Sequence, residues 1–117
     1  MPSYTPVIPS GSTNGRLINI ANTSTTLHDS TASTSHMDEV FVYVCNTSTS
    51  DVKVTLEIEG TAAANIVEDT IPAESGFVLM LPGIRVNNTT DIDAKAATNA
   101  VCNALVLVNR ITLTEAL

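Results

Sequence analysis

EVFVYVC (39–45), NTSTSD (46–51) and VKVTLEIE (52–59) follow one another near the middle of the chain. Side chains alternate sides along an extended strand. In the first run Val40, Val42 and Val44 therefore share one face, and Phe41, Tyr43 and Cys45 share the other. Both faces are apolar, which predicts a central strand covered on both sides. In a two-layer sandwich a monomer satisfies this with difficulty, and a subunit contact could supply the second cover. In the last run Val52, Val54, Leu56 and Ile58 alternate with Lys53, Thr55, Glu57 and Glu59. This is the pattern of an antiparallel strand with one wet face. The polar run between the two predicts a β-hairpin, which Gly60 ends.

Toward the C-terminus, 61–69 (TAAANIVED) reads as a loop with a brief strand around Ile66, and 71–76 (IPAESG) as a turn punctuated by Pro72 and Gly76. A buried strand over 77–81 (FVLML) is broken by Pro82 and Gly83, and a short strand follows over 84–86. After a tight turn at 87–90, Ile92, Ala94 and Ala96 alternate with Asp91, Asp93 and Lys95. The run 101–112 (VCNALVLVNRIT) is the longest strand candidate. Toward the N-terminus, 29–37 is a polar loop, while 16–20 and 25–28 are short strands around a turn at 21–24. Residues 1–15 (MPSYTPVIPSGSTNG) carry Pro2, Pro6 and Pro9, which stiffen them into an extended arm. Two readings are open: a disordered tail, or an arm that Tyr4, Val7 and Ile8 would anchor on a neighbouring subunit. No segment keeps helical periodicity for three turns, and no internal repeat is visible. The expected fold is all-β: an antiparallel, jelly-roll-like β-sandwich of seven to eight short strands over 16–117, preceded by the arm.

Composition narrows the function. The chain's 117 residues suit one domain. Aromatics are 3% and Trp is missing, so the core must come from Val, Ile, Leu and Ala. Charged residues are 15%, and such a weakly charged surface loses little on desolvation against another protein. The net charge is −7, and the five basic residues Arg16, Lys53, Arg85, Lys95 and Arg110 are scattered. No basic stripe exists for nucleic acid or an anionic membrane. No apolar run is long enough to span a bilayer, and no signal peptide opens the sequence. Cys45 and Cys102 sit in apolar strands and read as buried free thiols, with a cross-strand disulfide as the alternative.

Little in the chain suggests chemistry. His28 precedes Asp29, and His36 stands near Asp38 and Glu39. Such pairs can bind metal or act as bases, but here they lie in or beside a Ser/Thr-rich loop and read as solvated surface. Asp91 with Asp93, and Glu68 with Asp69, read as exposed acidic edges, because no calcium loop accompanies them. No G-x-S-x-G elbow or phosphate loop occurs. The sequons at Asn22, Asn46, Asn87 and Asn88 read as products of a Thr- and Asn-rich composition. The expectation is a binding protein with no catalytic residue, metal ligand or cofactor.

The runs at 39–60 (EVFVYVCNTSTSDVKVTLEIEG) and 69–112 (DTIPAESGFVLMLPGIRVNNTTDIDAKAATNAVCNALVLVNRIT) resemble small structural proteins of tailed bacteriophages. The resemblance lies in the order of their pieces. A strand ends in a Cys-Asn step, followed by a Ser/Thr turn and a V-x-V-x-L/I strand. An Ile-Pro-Ala turn, an apolar strand with a Gly, a D-x-I-x-A-x-A strand and a final apolar strand complete it. Many such proteins carry a Pro-Ala-Gly-Lys step before the first strong strand, where this chain reads HMDE (36–39). The resemblance implies a capsid decoration or cement subunit on the outer surface of the virion, assembled in the host cytoplasm. Its partners would be the major capsid protein and its own copies, as a homotrimer first and a dimer second. Phe41 and Tyr43 join the arm residues as expected contacts. The alternative is a tail or fibre domain that binds a host receptor through 29–38 and 46–51, though sugar sites favour aromatic platforms that these loops lack. A jelly-roll hydrolase is the third reading, and two histidines are too few for its usual cluster.

Overall fold

The computed structural model describes residues 3–113. Nine strands run in chain order: β1 (Tyr4–Val7), β2 (Ile18–Ile20), β3 (Thr25–Asp29), β4 (His36–Asn46), β5 (Val52–Ile58), β6 (Ile66–Ile71), β7 (Ser75–Val86), β8 (Asp91–Ala96) and β9 (Cys102–Thr112). Among the described residues the only helical piece is a single 3-10 turn, Ala63–Asn65. The first sheet has the order β1-β9-β4-β7, with β2 also on β9; the second has the order β3-β8-β5-β6. Every pairing is antiparallel, and four of them nest: β5 with β6, β4 with β7, β3 with β8, and β2 with β9. The described chain is thus one long hairpin rolled across two antiparallel sheets, a β-sandwich.

Alternation explains the two layers. Val40, Val42 and Val44 of β4, Val52, Val54 and Leu56 of β5, and Ala104, Val106 and Val108 of β9 point into one shared core. Ile20, Leu27, Ile71, Ile92, Ala94 and Ala96 complete it, so β-branched and small side chains fill the space that an aromatic core would otherwise occupy.

Several expectations need correction. The predicted hairpin over 39–59 does not form, because β4 belongs to the first sheet and β5 to the second. The polar run between them is a corner, built on the buried amide of Asn46. Its Oδ1 accepts from Ser48 N at 2.9 Å and Ser48 Oγ at 2.8 Å, while its Nδ2 donates to Ser50 O at 2.8 Å and Ile71 O at 3.0 Å. The predicted break at Pro82 and Gly83 is absent, and β7 runs through both. β7 pairs only with β4, so a proline there interrupts no second ladder. Register shifts along β4 and β7 absorb the irregularity, and Gly83 takes a φ of 96°. Beyond residue 15 the strands number eight, within the expected seven to eight, and β1 in the arm adds a ninth; they are not all short, since β4, β7 and β9 run to 11, 12 and 11 residues.

Within the expected arm, Tyr4–Val7 adds to the chain's own sheet, with Val7 opposite Val108. The loop after it is fastened to β3. Gly11 N donates to Leu27 O at 3.0 Å, and a Cβ on Gly11 would overlap the Thr26 carbonyl. Both cysteines are free thiols. Cys45 lies opposite Asn103 and Cys102 opposite Asn46, so the two point to opposite faces of the sheet.

Candidate functional site

The outer face of the first sheet follows from register. Phe41 lies between Leu107 and Pro82, and Tyr43 between Leu105 and Leu79. Three apolar side chains there remain about half exposed: Phe77 at 48%, Leu79 at 46% and Leu107 at 46%. Phe41 and Tyr43 are half-buried. The Phe41 ring lies over Gly83, where an added Cβ would come 2.9 Å from Cε2, so the aromatic covers the backbone of an edge strand. Toward the far end of the same face, Met37, Ile111 and exposed Tyr4 line up across three strands. A polar band separates the two apolar zones: Glu39, opposite Asn109 and Arg85, accepts from Arg85 Nε at 3.1 Å. Exposed Ile8 adjoins Leu107 across a groove of about 330 Å³, also lined by Pro6, Val7 and Val106.

The structure therefore brings three of the sequence-derived contact residues, Tyr4, Phe41 and Tyr43, onto one face, with Ile8 at its rim. Val7 points the other way and packs against the core. The sequence reading missed Phe77, Leu79 and Leu107, the half-exposed apolar side chains around Phe41 and Tyr43. An apolar run alone does not distinguish a strand covered twice from one covered once.

The second sheet presents the opposite surface. Its strands carry Asp29, Glu57, Glu68, Asp69, Asp91 and Asp93 against Lys53 and Lys95. Asp29 stands directly opposite Asp91, and Glu57 opposite Asp93. Hydrogen bonding and charge from Asp29 push the Asp91 carboxyl above its usual range, and burial followed by the charges of Asp91 and Glu57 does the same to Asp93. Glu57, expected in solvent, is buried beneath Ser24 Oγ at 2.6 Å and Lys95 Nζ at 3.6 Å. Among the described residues, no group of three or more His, Cys, Asp or Glu is placed to hold a metal ion.

One buried cluster has the members of a nucleophilic triad. His28 is 2% exposed and Asp38 0%, and His28 Nε2 lies 2.8 Å from Asp38 Oδ2. Neither residue keeps the partner that adjacency suggested: His28 turns from Asp29, and His36 instead meets Ser33 Oγ at 2.9 Å. A β-bulge between Thr26 and His28 turns both Leu27 and His28 inward. Ser10 Oγ is 3.4 Å from His28 Nδ1, which completes the resemblance to a triad.

The chemistry runs against that role. The backbone N–H of Ser10 donates to Nδ1 at 3.0 Å, so the lone pair that would accept a hydroxyl proton is already used. Nε2 then carries the ring proton and donates to Asp38. The Ser10 hydroxyl itself accepts Asp29 N–H at 2.6 Å. Asp38 further accepts Thr31 N–H at 3.0 Å and the Arg110 fork, Nε to Oδ1 at 2.7 Å and Nη2 to Oδ2 at 3.0 Å. Burial alone would raise the Asp38 carboxyl, but the bonds from Arg110, His28 and Thr31 outweigh it and hold it below its ordinary range. A carboxylate neutralised by arginine is a poor stabiliser of an imidazolium. The cluster braces four segments of the fold: the loop after β1, β3, β4 and β9. Of the two free cysteines, Cys102 is buried and its thiol is raised by that burial and by Cys45, which disfavours the thiolate.

The open features of the molecule are thus a largely apolar face of no net charge on one sheet and a carboxylate-rich face on the other. The chain matches no family model, no curated protein and no solved structure.

Proposed function

We propose that this chain is a virion structural protein, a capsid decoration or cement subunit that binds and bridges major capsid proteins on the outer shell. The observation that carries the reading is the two-faced sandwich. One sheet offers an apolar face with Phe41, Tyr43, Phe77 and Leu79, and its charges are all matched in pairs. Such a face gives up little hydration energy when covered, and the braced sandwich behind it resists deformation. The resemblance of 39–60 and 69–112 to small phage structural proteins points the same way. A subunit that shares load across a shell needs contact area and stiffness rather than a reaction centre.

Co-sedimentation tests the proposal. The purified chain should pellet with assembled shells of the virus that encodes it and stay in the supernatant with unassembled capsid subunits. A chain that ignores the shells but is retained on a glycan array would replace this reading with the tail or fibre receptor-binding one.

A further inference from the structure

We propose that the outer face of the first sheet is covered by a second copy of this chain, in a two-fold, face-to-face dimer. The inference goes beyond the capsid reading: it gives this face to a second copy, and a shell would then meet the surfaces that the dimer leaves open.

Area comes first. Strands of 11, 12 and 11 residues form the body of this sheet. At ~3.3 Å per residue and ~4.8 Å between strands, the three long strands cover about 36 by 14 Å and the short β1 and β2 add roughly 110 Å², about 630 Å² in all. That is below the ~800 Å² per partner of a standard stable interface but within its spread. The apolar zone around Tyr43 and Leu105 sits inside this footprint, with Asn103, Asn109 and the Glu39–Arg85 pair about it, as in an apolar centre with a polar rim.

Charge selects the occupant. The chain has a net charge of −7, so two copies repel unless they meet where charge is absent. The strands of the first sheet carry four charged residues, joined as Asp38–Arg110 and Glu39–Arg85. The strands of the second sheet carry six carboxylates against two lysines. Face-to-face packing of the first sheets puts the carboxylate faces at the outside of a four-layer stack. With ~10 Å between layers, these lie about 30 Å apart. That is well beyond the ~8 Å screening length at physiological salt, so the arrangement costs almost no repulsion. A basic partner, by contrast, would be drawn to the second sheet.

Symmetry selects two copies over three. One face used by every copy must be isologous, which a two-fold axis satisfies. A ring needs two different patches, and the free edges of the first sheet are poor ones. β7 is irregular and carries Pro82 and Arg85, while β1 and β2 already cover the other edge.

Light scattering behind a sizing column decides the matter. The expected mass is twice the 12.3 kDa of one chain at micromolar concentrations and above. The double substitution Leu79→Lys, Leu107→Lys should give a monomer with an unchanged circular dichroism spectrum, because both side chains are half exposed within one copy. Thr70→Lys, on the second sheet, should leave the dimer intact. A monomeric or three-chain parent, or a dimer indifferent to the double substitution, overturns the inference. If the parent is a monomer whose shell binding is lost in the double variant, the face belongs to the shell, and the capsid reading survives without the dimer.

Discussion

Asp38→Asn removes one charge and should cost more than any surface substitution. Asp38 is fully buried and holds His28, Thr31 N–H and both arms of the Arg110 fork. Asn keeps the shape but presents an amide N–H₂ to groups that are all donors, and it leaves Arg110 without a counter-charge. Breaking a buried pair from one side costs about 3–5 kcal/mol. Arg110 is 35% exposed, so water compensates part of its loss, and the lower end of that range, about 3 kcal/mol, is appropriate. For a chain of this size that is about 12 °C in Tm. Urea unfolding of parent and variant measures it, and a cycle with Arg110→Gln should show coupling of about 2 kcal/mol. The pH dependence supplies an independent check. The folded carboxyl is held below its unfolded value, so its contribution is complete above about pH 4 and disappears as pH falls through the lowered folded value. The gap between parent and Asn variant should therefore close in acid. A loss under about 1 kcal/mol at neutral pH, or a gap that persists at the acid end, would refute the brace.

The second sheet should show the opposite pH sign. The carboxyl of Asp91 is raised by its neighbour Asp29, so the pair's penalty is absent below the unfolded value and grows as pH rises through the folded one. Asp29→Asn should raise Tm at neutral pH and leave it unchanged near pH 3, as read by calorimetry; a drop at neutral pH would contradict the pairing. Gly83→Ala should destabilise by about 1–3 kcal/mol in urea, because the residue sits at a φ of 96° and its new methyl meets the Phe41 ring. If the cause is that ring, Phe41→Leu should relieve part of the loss.

Much of the architecture was legible in strict alternation. Val40, Val42 and Val44, then Val52, Val54 and Leu56, point inward as read, and the half-exposed pattern of 91–96 held. Partner choice was not legible. A polar run such as 46–51 has the same composition whether it closes a hairpin or turns a corner, and here the fully bonded amide of Asn46 makes it a corner. Pro82 read as a break because its tolerance depends on β7 being an edge strand, a fact of topology. His28 and Asp38 are ten positions apart, and only a bulge in β3 turns the histidine inward. The contact face was half legible: Tyr4, Phe41 and Tyr43 were singled out, but Phe77, Leu79 and Leu107 hid inside runs that looked uniformly buried.

The brace and the apolar face bear on each other through charge. Arg110 and Arg85 are the only basic residues in the strands of the first sheet, and each is bound to a carboxylate of β4. Asp38–Arg110 lies toward the core side and ties the last long strand to the central one, while Glu39–Arg85 lies on the outer face and ties the central strand to the edge. Neighbouring positions on β4 thus fasten three strands, one on each side of the sheet, and leave the sheet neutral. If Arg85, the arginine of the outer face, carried an unmatched charge, burial of the face would require desolvating a lone ion, at a cost of several kcal/mol. Matched in place before any partner arrives, Glu39 and Arg85 lower that cost for a partner that covers the apolar zone around Tyr43. The same pairing that stabilises the sandwich therefore also decides which of its two faces can be covered.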